Sequence, residues 1–359
     1  MPALLQSKLN TLLGLKWPLI QAPMAGGPST PEFTATASNA GVLGSLGLAY
    51  LSAAEIEKTI KRTQILTQRP FAVNLFAPAT MPTLTKKQVD EALSATRLYR
   101  KELALPDPVV KPPFHESFEE QMASVIKGKP AVFSFTLGLV DKHIIKECRL
   151  HHIVTVGTAT SLEEGIALQE LGVDAVVAQG AEAGGHSGMF LAEHPNQLFG
   201  TMALTRILAL GLHIPVISSG GIMDGQGIAA ALTLGAQAVQ LGTAFLLCDE
   251  AGTSPAYREE LSHAQGNKTQ FTHAFSGRWA RGIKNRFMEE MEQRENAILP
   301  FPAQNAFTRD MRKKAGEQGK AEFLSLWAGQ AVSLIRKMKT EELLQLLYEE
   351  TVQALKHSN

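Results

Sequence analysis

The residues with the clearest capacity for chemistry follow short apolar runs of the sequence. His186 comes directly after Gly184 and Gly185, just beyond the run Ala175–Gly180. An imidazole titrates near neutral pH, so it can act as a base or as the electrostatic partner of an anion. The two glycines allow the ring to approach a bound molecule closely. An exposed loop histidine is the alternative, but the position of His186 among similar run ends favours a catalytic role.

A second group of residues is suited to binding a phosphate. Gly220 and Gly221 end one apolar run, and Gly242 and Thr243 lie near the end of the next. Backbone N–H groups at glycines can come close to an anion, and Thr243 adds a hydroxyl. Either pair alone is more typical of a tight turn. Their occurrence in successive runs predicts a phosphate site.

Three amide side chains stand within apolar runs, at Asn74, Gln179 and Gln240. Buried amides must have hydrogen-bond partners. One possibility is a mutual network; the other is a set of contacts to the edge of a flat heteroaromatic ring, such as the isoalloxazine of a flavin. No G-x-G-x-x-G motif opens the chain, which favours a flavin with one phosphate over a dinucleotide.

The elements that must position these residues are eight apolar runs with both faces apolar, a pattern typical of strands in a buried parallel sheet. Helical patterns fill most of the gaps between them, so we predict an α/β fold, a (β/α)₈ TIM barrel. Active residues of this fold lie at the C-terminal ends of the strands. The predicted strands are Pro18–Met24, Gly41–Gly47, Phe71–Ala77, Ala131–Gly138, His152–Gly157, Ala175–Gly180, Pro215–Gly221 and Ala238–Phe245.

Capping residues locate several of the helices. Ser52 and Ser161 each stand three residues before a glutamate, which predicts a capping box at both helix starts. Further helices are predicted over Gly227–Leu234 and Lys86–Glu102. The last of these lies in a proline-rich insertion after strand three, at about 78–130, which continues as an extended segment.

We expect two domains. A barrel that binds the one-phosphate flavin covers 1–248, and a more charged, helical lid or side domain covers 249–359. The second domain is expected to end in a long helix over Ala331–Lys356, where leucines recur near helical spacing.

The composition excludes several functional classes. Lys+Arg and Asp+Glu are both 34, so the basic excess typical of a nucleic-acid-binding protein is missing. Cys148 and Cys248 are too few for a disulfide framework, and no histidine spacing indicates a metal site. The uncharged stretch Gly225–Cys248 contains glycines and glutamines, so it predicts a helix and a strand, not a membrane span. A cytoplasmic protein is expected, since the N-terminus lacks the pattern of a signal peptide.

In combination, these motifs resemble those of the nitronate monooxygenases, formerly called 2-nitropropane dioxygenases, a family of FMN-dependent barrels. The resemblance covers the barrel and runs into the C-terminal part. It rests on segments that occur in the family's order: Gln21–Pro31, Ser38–Gly47, Phe71–Phe76, Asp174–Gly188, Pro215–Gly227, Ala238–Leu246, Phe275–Phe287 and Trp327–Gln330.

The resemblance implies FMN as cofactor, a nitronate and O₂ as small-molecule partners, and His186 as the catalytic histidine. The implied reaction oxidises an alkyl nitronate, for example propionate 3-nitronate, to a carbonyl compound and nitrite. Some members have a histidine at the end of strand four, where this sequence has Thr136, so His186 is the only clear base. Met24 is implied to flank the flavin ring. The implied FMN contacts are Asn74, Gln179, Gly184, Gly221, Gln240, Leu241, Gly242 and Thr243.

Two alternatives stay open at the level of sequence. Flavin-dependent enoyl-acyl-carrier-protein reductases resemble this chain over the same barrel motifs, including a Gly-Gly-His, but would need NAD(P)H. A flavin-binding or storage protein would bind FMN without producing nitrite. Neither the physiological nitronate nor the oligomeric state is predicted.

Overall fold

Eight short strands form the centre of the molecule. The computed structural model describes residues 5–357, in which all eight predicted strands are confirmed. They pair in parallel. Backbone hydrogen bonds from Gln21 to Leu43 and from Leu43 to Leu19 join the two outermost strands and close the barrel. The strands are β1 Leu19–Gln21, β2 Gly44–Gly47, β3 Phe71–Phe76, β4 Val132–Thr136, β5 Val154–Ala159, β6 Ala175–Gln179, β8 Val216–Ser219 and β9 Ala238–Leu241; β7 Gly185–His186 belongs to a second sheet. The order of the eight strands in the barrel is β1-β9-β8-β6-β5-β4-β3-β2.

Residues 5–357 contain thirteen helices, most of which pack around this sheet. Branched apolar side chains fill the barrel interior, among them Ile20, Val132, Val177 and Ile217. The helices are α1 Lys8–Leu13, α2 Pro31–Asn39, α3 Ala53–Leu66, α4 Lys86–Glu102, α5 Phe118–Gly128, α6 Lys142–Leu150, α7 Leu162–Leu171, α8 Thr201–Gly211, α9 Gly225–Thr233, α10 Pro255–His263, α11 Arg286–Glu292, α12 Ala303–Gln318 and α13 Thr340–His357. None of them is both long and apolar enough to cross a membrane.

The two predicted capping boxes differ in outcome. At α3 the box forms, with Ser52 and Glu55 bonded reciprocally. At α7 the Ser161 hydroxyl caps the helix, but the carboxylate of Glu164 accepts instead from the backbone and hydroxyl of Thr160 at 2.7 and 2.8 Å. It also accepts from the backbone of Phe190 at 2.6 Å. Glu164 therefore anchors the chain that follows β6, and the capping box predicted there is wrong.

The insertion between β3 and β4 contains one helix more than predicted. Helix α4 has the predicted bounds, and a chain without helix or strand follows it. Helix α5, at Phe118–Gly128, was not predicted, because the prolines before it masked the pattern. It packs against α3, so it occupies the barrel wall ahead of β4.

Arg100 fastens this insertion to the C-terminal part of the chain. Its side chain is 1% exposed and donates to both carboxylate oxygens of Asp310 on α12, at 2.8 and 3.1 Å. It also donates to the carbonyl oxygens of Pro106 and Phe307. This single side chain therefore links α4, the loop after it and α12.

Replacement of Arg100 by methionine is expected to destabilise the protein by about 3 kcal/mol, because the carbonyls and carboxylate that it bonds lose their buried donor. Thermal unfolding followed by circular dichroism should show a midpoint roughly 4 °C lower. Arg97→Met, on the exposed face of the same helix, is the control. Equal midpoints for the two variants would contradict the linking role of Arg100.

The C-terminal part contains strands as well as helices. Strands β10 Thr269–Thr272 and β11 Ala280–Ile283 form an antiparallel sheet with β7 Gly185–His186, in the order β10-β11-β7. The helix predicted over Ala331–Lys356 is wrong before residue 340. The chain makes only a 3₁₀ turn there, and α13 begins at Thr340, whose backbone N–H and hydroxyl both donate to Glu250.

Helix α13 packs against α2 and α9 of the barrel. Leu343, Leu344 and Leu347 lie in one apolar cluster with Phe33 and Ile228. In a (β/α)₈ barrel the last strand is followed by a helix that packs in the wall between the first and the last but one. Helix α13 occupies that position here. The division of the chain into 1–248 and 249–359 stays a prediction.

Candidate active site

The C-terminal ends of the barrel strands open into a cavity of about 580 Å³. This volume lies within the roughly 300–1,000 Å³ typical of sites for small molecules and cofactors. Leu241 does not line the cavity, since its side chain is buried in the apolar core behind the sheet. The other residues predicted for the site line it together: Met24, Asn74, Gln179, Gly184, His186, Gly221, Gln240, Gly242 and Thr243.

The predicted amides do not form a mutual network, as no hydrogen bond joins any two of them within residues 5–357. Asn74 donates to the hydroxyl of Ser134 at 2.9 Å. Gln179 donates to the carbonyl oxygen of His186 at 3.1 Å and accepts from the backbone N–H of Gly188 at 2.6 Å. Gln179 therefore holds the segment that carries the histidine.

The turns after β8 and β9 lie side by side at the cavity wall. Gly220 and Gly221 have φ angles of 120° and 68°, a backbone conformation that favours glycine. A Cβ at Gly220 would lie 2.6 Å from the hydroxyl oxygen of Thr201. The hydroxyl of Ser219 donates to the carbonyl oxygen of Gln240 at 3.0 Å and ties the two strand ends together. The two turns therefore lie together at one region of the cavity wall, and glycine turns of this kind are suited to an anion site.

The imidazole of His186 forms a hydrogen bond with the side chain of Ser276. The two side chains are 2.9 Å apart, between Nε2 and Oγ. The Ser276 hydroxyl donates its own hydrogen to the carbonyl oxygen of Arg278 at 3.0 Å. With the Ser276 hydrogen assigned to the carbonyl of Arg278, Nε2 carries the proton and donates to Ser276, and Nδ1 is the basic nitrogen of the ring.

The surroundings of His186 keep its imidazole neutral. The rings of Phe76 and Trp327 lie 5.8 and 5.6 Å from it, between centroids. Burial lowers the pKa of His186 to about 3, and the charges of Arg278 and Arg312 add to the effect. The histidine is therefore uncharged near pH 7, and the positive charge of the cavity lies elsewhere.

That charge comes from α12, which the sequence analysis did not connect with the site. Arg309, Arg312 and Lys313 line the cavity, and no aspartate or glutamate of residues 5–357 does so. A signal existed in the sequence, since positions 309 and 312 share one face of a helix. Nothing in the sequence, however, placed that helix over the barrel mouth.

Other reactive side chains lie away from the chemistry. Burial raises the pKa of both thiols, Cys148 and Cys248, to about 12, so neither is a thiolate at neutral pH. Among residues 5–357, no three His, Cys, Asp or Glu side chains lie together in a way that could hold a metal ion.

Comparison with known proteins gives a consistent result. The family model described as nitronate monooxygenase matches residues 6–350. A probable nitronate monooxygenase of Staphylococcus saprophyticus is 41% identical over 344 residues, which cover 95% of this chain and 96% of that protein.

Two solved structures extend the comparison to the fold. The nitroalkane oxidase of Streptomyces ansochromogenes has a TM-score of 0.91 and 34% identity, covering 98% of this chain and 99% of that one. FabK from Thermotoga maritima has a TM-score of 0.77 and 25% identity, with 98% of each chain covered. The chain therefore belongs to the nitronate monooxygenase family, a family of flavin-dependent oxidoreductases.

Proposed function

We propose that the protein is an FMN-dependent enzyme that oxidises alkyl nitronates, such as propionate 3-nitronate, with O₂ to a carbonyl compound and nitrite. The observation that carries this proposal is the charge of the cavity. Among residues 5–357, three cationic side chains and no carboxylate line the cavity, next to a neutral histidine. Such a cavity favours anions, and a nitronate is the anionic form of a nitroalkane.

The residues present fit FMN. Asn74, Gln179 and Gln240 offer amide donors and acceptors to the edge of a flat ring. The glycine turns after β8 and β9, with Thr243, offer N–H groups and a hydroxyl to a single phosphate. Bound FMN would supply the redox chemistry between the nitronate and O₂. Of the predicted contacts, Leu241 could take part only through its backbone, because its side chain faces the core.

His186 would have different tasks for two forms of substrate. A neutral nitroalkane must lose its α-proton, and Nδ1 of the imidazole is the available acceptor. A nitronate has already lost that proton and needs only to be held. Because burial lowers the pKa of His186 to about 3, the ring is a weak base. We therefore infer that nitronates are the preferred substrates.

The proposal is tested by aerobic titration of the purified protein with propionate 3-nitronate. We expect a yellow protein, oxygen uptake and release of nitrite. FMN bound without nitrite release would favour a binding or storage protein. Rapid bleaching of the flavin by NADPH without oxygen would favour a reductase of enoyl-acyl-carrier proteins. The cytoplasmic location stays a prediction.

A further inference from the structure

Asn305 is a buried amide side chain of α12 that lines the cavity, with only 3% of its surface exposed. Its oxygen Oδ1 accepts a hydrogen bond from Nη2 of Arg312 at 2.8 Å. Its nitrogen Nδ2 has no hydrogen-bond partner within residues 5–357, and protein atoms do not enclose it. Buried polar groups are normally paired, so this N–H group is available to a bound molecule.

Arg312 fixes the orientation of that amide. The two residues are about two helical turns apart, so they share one face of α12. The same Nη2 also donates to the backbone oxygen of Asn305, at 2.9 Å. Because a guanidinium has donors and no acceptor, the amide must turn its oxygen towards Arg312 and its NH₂ group away. The direction of the free donor therefore follows from the chemistry of its neighbour.

The amide lies on the histidine side of the cavity. Asn305 follows Phe301 at the start of α12, and the ring centroid of Phe301 is 6.3 Å from that of Phe76. The ring of Phe76 is in turn 5.8 Å from that of His186. The charge of Arg312 contributes to the lowered pKa of His186. The amide and the imidazole therefore border the same part of the cavity.

Removal of the α-proton from a nitroalkane creates a charge that needs a partner. The C–H bond breaks and the proton goes to Nδ1 of His186. The electron pair forms a C=N double bond, and the negative charge moves to the nitro oxygens. A donor aimed at those oxygens binds the transition state more tightly than the neutral substrate, and so lowers the barrier.

We propose that Nδ2 of Asn305, oriented by Arg312, donates a hydrogen bond to an oxygen of the nitro or nitronate group of the substrate. The inference rests on the proposed function and assigns a donor to the reacting end of the substrate. A nitronate carries its charge from the start, so with that substrate the same bond mainly improves binding. Arg312 is a positioning residue in this assignment.

The kinetic test uses Asn305→Asp, which keeps the shape of the side chain but offers only acceptors. Its carboxylate can pair with Arg312, so the fold should be retained. We expect kcat for nitroethane to fall by about 100-fold and KM for ethyl nitronate to rise by about tenfold. Asn305→Leu removes the donor without adding charge and should show the same split. Asn267→Asp, at an exposed position outside the cavity, is the control and should match wild type.

A binding test with nitrate avoids turnover. Nitrate is a planar monoanion whose oxygens are arranged like those of a nitronate. Its titration, followed by the absorbance of the bound flavin, should show binding weakened by about tenfold or more in Asn305→Leu. Arg312→Met should weaken binding as well, but by less in the Asn305→Leu background, because Arg312 acts through the amide. Without nitrate, flavin content and spectrum should equal those of wild type.

Each outcome decides between the alternatives. Unchanged nitrate affinity in folded Asn305→Leu and Asn305→Asp variants overturns the assignment. Changes confined to the same kinetic parameter for both substrates indicate a structural role and also overturn it, as does loss of flavin, which would place the amide at the cofactor. If the wild-type protein oxidises neither substrate, the proposed function is wrong, whereas nitrate binding that depends on Asn305 would still support the oxyanion donor.

Discussion

Replacement of His186 by asparagine is expected to lower kcat/KM for nitroethane by about 100-fold, because the variant lacks the nitrogen that accepts the α-proton. The same change should lower kcat/KM for ethyl nitronate by less than about tenfold, since that substrate has no proton to lose. The asparagine amide extends only as far as Nδ1 of the imidazole, so it can still hydrogen-bond within the cavity but loses the contact that Nε2 makes with Ser276. Nitrite release, measured separately for the two substrates, checks this expectation.

The pH dependence provides a second measurement on the same residue. Since burial lowers the pKa of His186 to about 3, the protonated form predominates only below that value, and the ring is neutral through the neutral range. The rate with the nitronate should therefore show no inflection near the ordinary histidine pKa. His213→Asn, at an exposed position, is the control. Equal losses with both substrates in His186→Asn would contradict a role in proton transfer.

Replacement of Gly242 by alanine is expected to weaken FMN binding by about tenfold or more without destabilising the fold. A Cβ at this position would lie 3.6 Å from the Cβ of Ala22 and 3.9 Å from the sulfur of Met24, which are ordinary contacts. Both neighbours line the cavity, so the new methyl group would occupy space that we assign to the flavin. Flavin absorbance of the purified variant and its reconstitution with added FMN measure the effect.

A matched substitution separates this effect from a general loss of stability. Gly200→Ala also adds a methyl group at an ordinary distance from its neighbour, 3.4 Å from Glu182, but outside the cavity. We expect full flavin content for that variant and unfolding midpoints close to wild type for both. Full flavin content in Gly242→Ala would show that the end of β9 does not contact the cofactor.

The barrel could be predicted from the sequence because its strands are buried on both faces. Runs such as Phe71–Phe76 and Ala175–Gln179 contain mostly apolar residues, and that pattern is local. Strand β7 contains only Gly185 and His186, which is too short for any periodicity, and its pairing with β11 joins positions almost 100 residues apart. Such a sheet depends on tertiary contacts that the sequence pattern does not contain.

Only the site residues that directly follow a barrel strand could be predicted. The turns at Gly221 and Gly242 could be found because the barrel places every strand end at one mouth. Arg312 belongs to a helix whose position depends on distant contacts, such as the ion pair between Arg100 and Asp310. Tertiary contacts of this kind, and not the spacing of residues along the chain, place the charge of Arg312 at the cavity.

The place of α13 between α2 and α9 has a consequence for the synthesis of the chain. After β9 leaves the ribosome, roughly 100 residues must be added before α13 follows, which takes about 5–20 s at typical rates of translation. During that interval the apolar surface around Phe33 and Ile228 lacks its final cover. A nascent chain in this state exposes an apolar surface to chaperones until α13 has been synthesised and packs over it.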